Sequence, residues 1–307
     1  MGAIPEKGLV ALTWIFTATA LLLTAGRYGI RYRLRREFFR AFQLDDFFHG
    51  LACLALIGYM ITSNLAFSLE YKIAADSSGF SSEEPTVDDL SRYFHFIIAI
   101  SAIFWVVQYL VKLAFLAFYR SLFFISDGFM RAWWCVLVFT LVTFLANFIS
   151  VFWSCGAPKN LYVVEKCSSL DSEIVIFRFV KMWCILNVLS DVAIMTLPLW
   201  MLKGTRLPIG QKVGVAVIFL LAFTDVIFDI LRTLYTLRGG AVSIDILWDI
   251  LELTIAIIIS ALPTYRSLLP GSSHKVSTSY KDLDNTGRQL KTKTASDGIV
   301  IKKQSYF

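Results

Sequence analysis

Charged side chains are scarce in this sequence. Asp, Glu, Lys and Arg make up 17% of its 307 residues, well below the roughly 25% of ordinary soluble domains. A globular domain in water needs that polar surface, so a water-soluble fold is excluded, and a cytosolic enzyme with it. Histidine is scarcer still: His49 and His95 lie near opposite ends of apolar runs, and His274 sits in a polar tail. A seven-helix metal hydrolase needs clustered His and carboxylate ligands, so no metal site is expected. Five cysteines are too few for a disulfide-dense secreted scaffold. There is no Asn-x-Ser/Thr sequon, no internal repeat, and no nucleophile set beside a base. A membrane enzyme is therefore not expected.

What the sequence does have is apolar bulk. Hydrophobic residues make up 57% of it, including 26 Phe and 8 Trp, and the mean hydropathy is +0.65. A bilayer core about 30 Å thick takes about 20 apolar residues per helix. Seven such runs, bounded by charges, lie at roughly 8–26, 44–69, 93–118, 132–153, 174–202, 213–237 and 244–268. The expected fold is all-α, a seven-transmembrane helix bundle over 1–270. The Ser/Thr/Lys-rich segment 271–307 is expected to be a disordered cytoplasmic tail.

Basic residues set the orientation. Nineteen of the 29 Lys and Arg fall in the 27–43, 119–131 and 203–212 linkers and in the tail from Arg266. Six lie on the other side (Lys7, Lys72, Arg92, Lys159, Lys166 and Arg238), and four lie inside runs. The N-terminus is thus expected outside and the C-terminus in the cytoplasm, which an odd number of spans requires. The net charge of +6 is an orientation signal, with no nucleic-acid partner needed. The first run has Glu6–Lys7 before it and arginines after it, which favours an uncleaved helix over a signal peptide. Cys155 and Cys167 both fall in the outer 154–173 loop, on the oxidising side, where a disulfide is expected.

The few charges inside the runs carry the functional reading, because each costs about 2.5–3.5 kcal/mol at the centre of a membrane helix and so turns inward to find a partner. Asp225, Asp229 and Arg232 recur at i, i+4 and i+7, and Asp245, Asp249 and Glu252 do the same on the next run. Each trio shares one helical face. Arg178 and Lys181 lie at comparable depth on the fifth run. The ligand-pocket candidates are therefore Arg178, Lys181, Asp229, Arg232, Asp249 and Glu252, around a hydrated cavity open to the outside. Asp45, Asp46, Lys112 and Asp191 form a second expected group, an inner polar network. The seventh run contains no Lys for a retinal Schiff base, so no covalent retinal, and no other cofactor, is expected.

Asp45–Asp46 after an Arg-rich linker, LVKLAFLAFYRSLF (110–123), the Cys155 and Cys167 pair, NVLSDVAIMTLPLWMLKG (187–204), Arg232, and 248–269 with Trp248, Glu252 and Pro263 together resemble the fungal rhodopsin-domain family of seven-helix membrane proteins. Their order and spacing cover roughly 8–270. The resemblance implies a receptor-like integral membrane protein, in a family not generally thought to bind retinal. Span 3 ends Phe-Tyr-Arg-Ser, without Asp-Arg-Tyr, and the last span lacks Asn-Pro-x-x-Tyr, so G-protein coupling of the animal type is not implied. The expected function is sensing of an extracellular ligand or surface cue at the plasma membrane. The partners would be the bilayer, an outside ligand, and a cytoplasmic signalling protein at the Arg-rich linker and tail. A proton-coupled or small-solute transporter using Asp191, Asp225 and Asp229 is the alternative.

Overall fold

The computed structural model describes residues 6–34, 44–77, 86–123, 127–155, 158–160, 167, 170–202, 209–239 and 242–265. The tail 271–307 and most of the Arg-rich linker lie outside the described residues. Among the described residues the chain is all-helical. The long helices are α1 (Glu6–Leu34), α2 (Leu44–Ser77), α3 (Val87–Phe123), α4 (Asp127–Val151), α5 (Leu170–Leu202), α6 (Ile209–Leu237) and α7 (Val242–Tyr265), with one 3₁₀ turn at Pro158–Asn160. Five of them, α1 to α5, are long and apolar enough to cross a membrane.

Local chemistry starts and sustains these helices. Thr86 and Asp89 form a reciprocal capping box at the head of α3, the Asp89 amide donating to Thr86 Oγ1 and the Thr86 amide to Asp89 Oδ2, both at 3.3 Å. Asp45 and Asp46 occupy the first turn of α2, where the helix dipole favours negative charge. Hydroxyls inside the helices bond back one turn, as Thr17 does to the Thr13 carbonyl and Ser63 to that of Tyr59. A chain in lipid has to satisfy its polar groups internally, and this is the cheapest way to do so.

The helices close into a ring. Each packs on its neighbours in sequence, α7 closes against α1, and α3 also touches α5 and α7 across the interior. On α4 the pattern is reversed relative to a helix of a soluble protein. On α4, Trp134, Val138, Leu141, Val142, Leu145 and Ile149 form an exposed stripe at helical spacing, while Thr140, Thr143, Asn147 and Ser150 are buried. An apolar outer face with the polar side chains turned inward is what a bilayer solvent selects. Pro198 and Pro263 lie within α5 and α7, each removing one backbone donor.

Cys155 and Cys167 are joined in a disulfide, with Cα atoms 4.9 Å apart. The pair is buried against Phe94, Ile98 and Phe152, so the bridge ties the α4–α5 connection to the first half of α3. Replacing Cys155 by Ser is expected to cost about 3 kcal/mol in the chain-entropy account. Thermal unfolding of the purified protein should show a drop of several degrees, and reductant should lower the wild-type midpoint to match. An unchanged midpoint would assign the bridge no stabilising role.

Candidate functional site

Arg232 lies five residues before the last residue of α6, about 8 Å down the helix at 1.5 Å per residue. Its own-helix neighbour Asp229 lies one turn earlier, and the facing turns of α7 present Asp249 and Glu252. The guanidinium contacts all three carboxylates: Nη1 to Asp249 Oδ1 at 2.6 Å, Nη2 to Asp229 Oδ1 at 3.3 Å, and Nε in ion-pair contact with Glu252 Oε2 at 3.1 Å. It lies over the Phe104 ring, 4.5 Å from the centroid. A planar fork of donors suits such multiple pairing. Each acid has a second partner. Tyr59 donates to Asp249 Oδ2 at 3.0 Å, Gln108 to Glu252 Oε1 at 2.5 Å, and Asn187 to Asp229 Oδ2 at 3.3 Å. Five helices therefore meet at one arginine.

Asn187 leads from this hub into a second cluster. Its amide nitrogen holds Asp229, and its Oδ1 accepts from Lys112 Nζ at 2.7 Å. Lys112 also donates to the Asn187 carbonyl and to Ser190 Oγ, and pairs with Asp191 at 2.9 Å. The ammonium lies 5.0 Å from the Tyr109 ring centroid. Asp225, one turn from Asp229 on α6, is buried, and its Oδ1 has no hydrogen-bond partner. A continuous polar chain thus runs from Asp249 through Arg232, Asp229 and Asn187 to Lys112 and Asp191.

The aspartates that open α2 belong to neither cluster. The sequence suggests grouping Asp45 and Asp46 with Lys112 and Asp191, but the structure separates them. Asp45 and Asp46 pair with Arg27 and Arg31 of α1: Arg27 reaches Asp45 at 2.8 Å and Asp46 at 3.0 Å, and Arg31 contacts both. The reason is the length of α1. Hydropathy ends the first run at 26, whereas the helix continues to Leu34, carrying Arg27 and Arg31 one turn apart on one face. Arg27 also donates to the Ser260 carbonyl and Arg31 to Thr264 Oγ1 of α7. His49 joins the same layer, between Thr24 Oγ1 at 3.1 Å and Ser260 Oγ at 2.7 Å. Gly26 leaves room for the Tyr265 phenol, which donates to the Leu23 carbonyl at 2.5 Å. A Cβ there would collide with the phenol oxygen.

Of the pocket candidates, Asp229, Arg232, Asp249 and Glu252 come together and Arg178 and Lys181 do not. The latter two are exposed on α5, roughly half a turn round the helix from Trp183, Asn187 and Ser190, which face inward. Depth alone suggests them for the site; their helical phase takes them off it. Tyr59, Gln108 and Asn187 carry the only sequence signal that could have found them, an amide or phenol inside an otherwise apolar run.

A cavity opens beside the hub at the end of the bundle that also holds the disulfide. Ser101, Phe104, Trp105, Val180, Trp183, Arg232, Thr233, Thr236, Asp245 and Asp249 line it. The space open to the centres of water molecules is about 70 Å³, enough for several waters at about 10–15 Å³ each. Trp105 and Trp183 pack with ring centroids 5.9 Å apart, and Trp183 Nε1 donates to Ser150 Oγ at 2.6 Å. Asp245, in the first turn of α7, accepts from Thr236 at 2.6 Å. The arrangement is a polar floor under an aromatic wall, suited to holding a small charged or hydrogen-bonding group.

A family model described as fungal rhodopsin domain matches residues 27–270. Among curated proteins, the satratoxin biosynthesis SC1 cluster protein 4 of Stachybotrys chartarum (strain CBS 109288 / IBT 7711) is 22% identical over 175 residues, covering 55% of this chain and 63% of that protein. The chain thus aligns with less than two thirds of that relative's length. No solved structure matches.

Proposed function

Because the chain belongs to the fungal rhodopsin domain family, we propose that it is a seven-transmembrane, receptor-like protein of the plasma membrane. In this reading α6 and α7 join α1 to α5 as spans. The N-terminus is outside and the C-terminus cytoplasmic, in keeping with the skew of basic residues. The cavity beside Arg232 then faces outward, and the Arg27–Asp46 layer lies near the cytoplasm. A small outside ligand binds at the cavity, without retinal and without catalysis.

The observation that carries this reading is the polar chain itself. A ligand changing the charge balance at Asp249 acts on Arg232, which shares carboxylates with α6 and α7. Asn187 then links the change to α3 and α5 through Lys112. Pro198 lies about three turns beyond Asn187 on α5 and supplies a compliant point. An inner signalling partner would read the result at the basic linkers.

The test is a comparison of three strains of the host organism: wild type, a deletion, and a Glu252→Gln replacement. The replacement should reach the membrane yet reproduce the deletion's loss of response to external cues. A replacement strain indistinguishable from wild type, where the deletion is not, would overturn the sensing role. The transporter reading draws on the partnerless Oδ1 of Asp225 within the same chain. Sealed proteoliposomes distinguish it, since a sensor carries no flux under an imposed pH gradient.

A further inference from the structure

We infer that the cavity beside Arg232 takes a cationic amine, an ammonium or quaternary ammonium group seated between the Asp245 and Asp249 carboxylates and the rings of Trp105 and Trp183. This rests on the outward-facing, ligand-binding reading above and names its ligand class.

The sign of the ligand follows from charge. Among the described lining residues the one cation is Arg232, and it is already engaged by three carboxylates, Asp229, Asp249 and Glu252. Asp245 adds a fourth acid to the same end, hydrogen-bonded by the Thr236 hydroxyl and sharing the charge of the same Arg232. The other cation on this polar chain, Lys112, is taken by Asp191, and the exposed Arg178 and Lys181 stand on the far side of α5. An anion entering the cavity would meet Asp245 and Asp249 with no second cation among the described lining residues to offset them. A cation would offset them itself.

The walls agree with the floor. Indole faces attract cations within about 6 Å of the ring centroid, and the site already shows the effect on a phenyl ring, since Arg232 itself lies 4.5 Å from the Phe104 centroid. Trp105 and Trp183 also line the cavity. A carboxylate floor under tryptophans discriminates for charge and for methylated nitrogen together.

The experiment is thermal unfolding of the purified full-length protein in lipid nanodiscs. Choline chloride is titrated against 3,3-dimethyl-1-butanol, its neutral isostere, at constant ionic strength in sodium chloride. Choline should raise the midpoint by about 4 °C or more at about a hundred times its dissociation constant, climbing with the logarithm of its concentration, and the neutral alcohol should not. Asp245→Asn should raise the choline concentration needed for a given shift at least tenfold, and Asp245→Lys should abolish the shift. No shift with choline, an equal shift with the alcohol, or an unchanged midpoint curve in both Asp245 variants would each overturn the assignment. Should either variant fail to fold, the comparison of choline with its isostere on the wild type still decides. The receptor reading is judged separately by the Glu252→Gln strain: a lost response with no amine binding leaves the sensor standing and removes only its ligand class.

Discussion

Replacing Arg232 by Leu should remove most of the folded protein. The guanidinium is the shared countercharge for Asp229, Asp249 and Glu252, and its loss leaves three interior carboxylates without it. Breaking a buried ion pair from one side costs about 3–5 kcal/mol, a large part of the roughly 5–15 kcal/mol that holds a typical protein folded. Arg232→Lys should fall between, because one ammonium cannot reach three carboxylates on two helices as a planar fork does. Neutralising the acids alongside the arginine, by Asp229→Asn, Asp249→Asn and Glu252→Gln in the Arg232→Leu background, should restore much of the lost stability. The amide and phenol partners Asn187, Tyr59 and Gln108 can bond to neutral amides equally well. Size-exclusion profiles and unfolding midpoints in detergent would check the series. An Arg232→Leu protein as stable as wild type would mean that the acids do not depend on this cation.

The same residue shows what is legible in the sequence. Asp225, Asp229 and Arg232, and Asp245, Asp249 and Glu252, share their faces by spacing alone, and the cost of burying charge in an apolar phase then requires them to meet. Periodicity and membrane solvation are therefore enough to place the hub. Two things escape that logic. Arg178 and Lys181 sit at the right depth but the wrong phase, and phase relative to a neighbouring helix is a tertiary property. Arg27 and Arg31 escape because hydropathy marks the end of an apolar run and not the end of a helix. Helix α1 outlasts its apolar run by about two turns, which is why depth alone groups Asp45 and Asp46 with the wrong cation.

That correction makes the second large effect specific. Arg27 is 2% exposed and ties α1 to both aspartates at the head of α2 and to the Ser260 carbonyl of α7. Arg31, 19% exposed as a side chain, contacts the same acids from the rim. Arg27→Leu should therefore cost about 3–5 kcal/mol, the range for removing one partner of a buried pair. Arg31→Leu should cost about 1 kcal/mol or a little more, since water reaches that side chain and screens its pairing. A ranking in the other direction would place the seat of the layer on the rim. Asp45→Asn combined with Asp46→Asn in the Arg27→Leu background should recover part of the loss, because the unpaired acids are then gone. The consequence for architecture follows from position: this layer and the Tyr265 contact at Gly26 are where α7 closes the ring against α1. Losing Arg27 should loosen that seam first. Hydrogen exchange should rise in the last two turns of α1 and α7 before it rises around Arg232, whose helices are held from the opposite end.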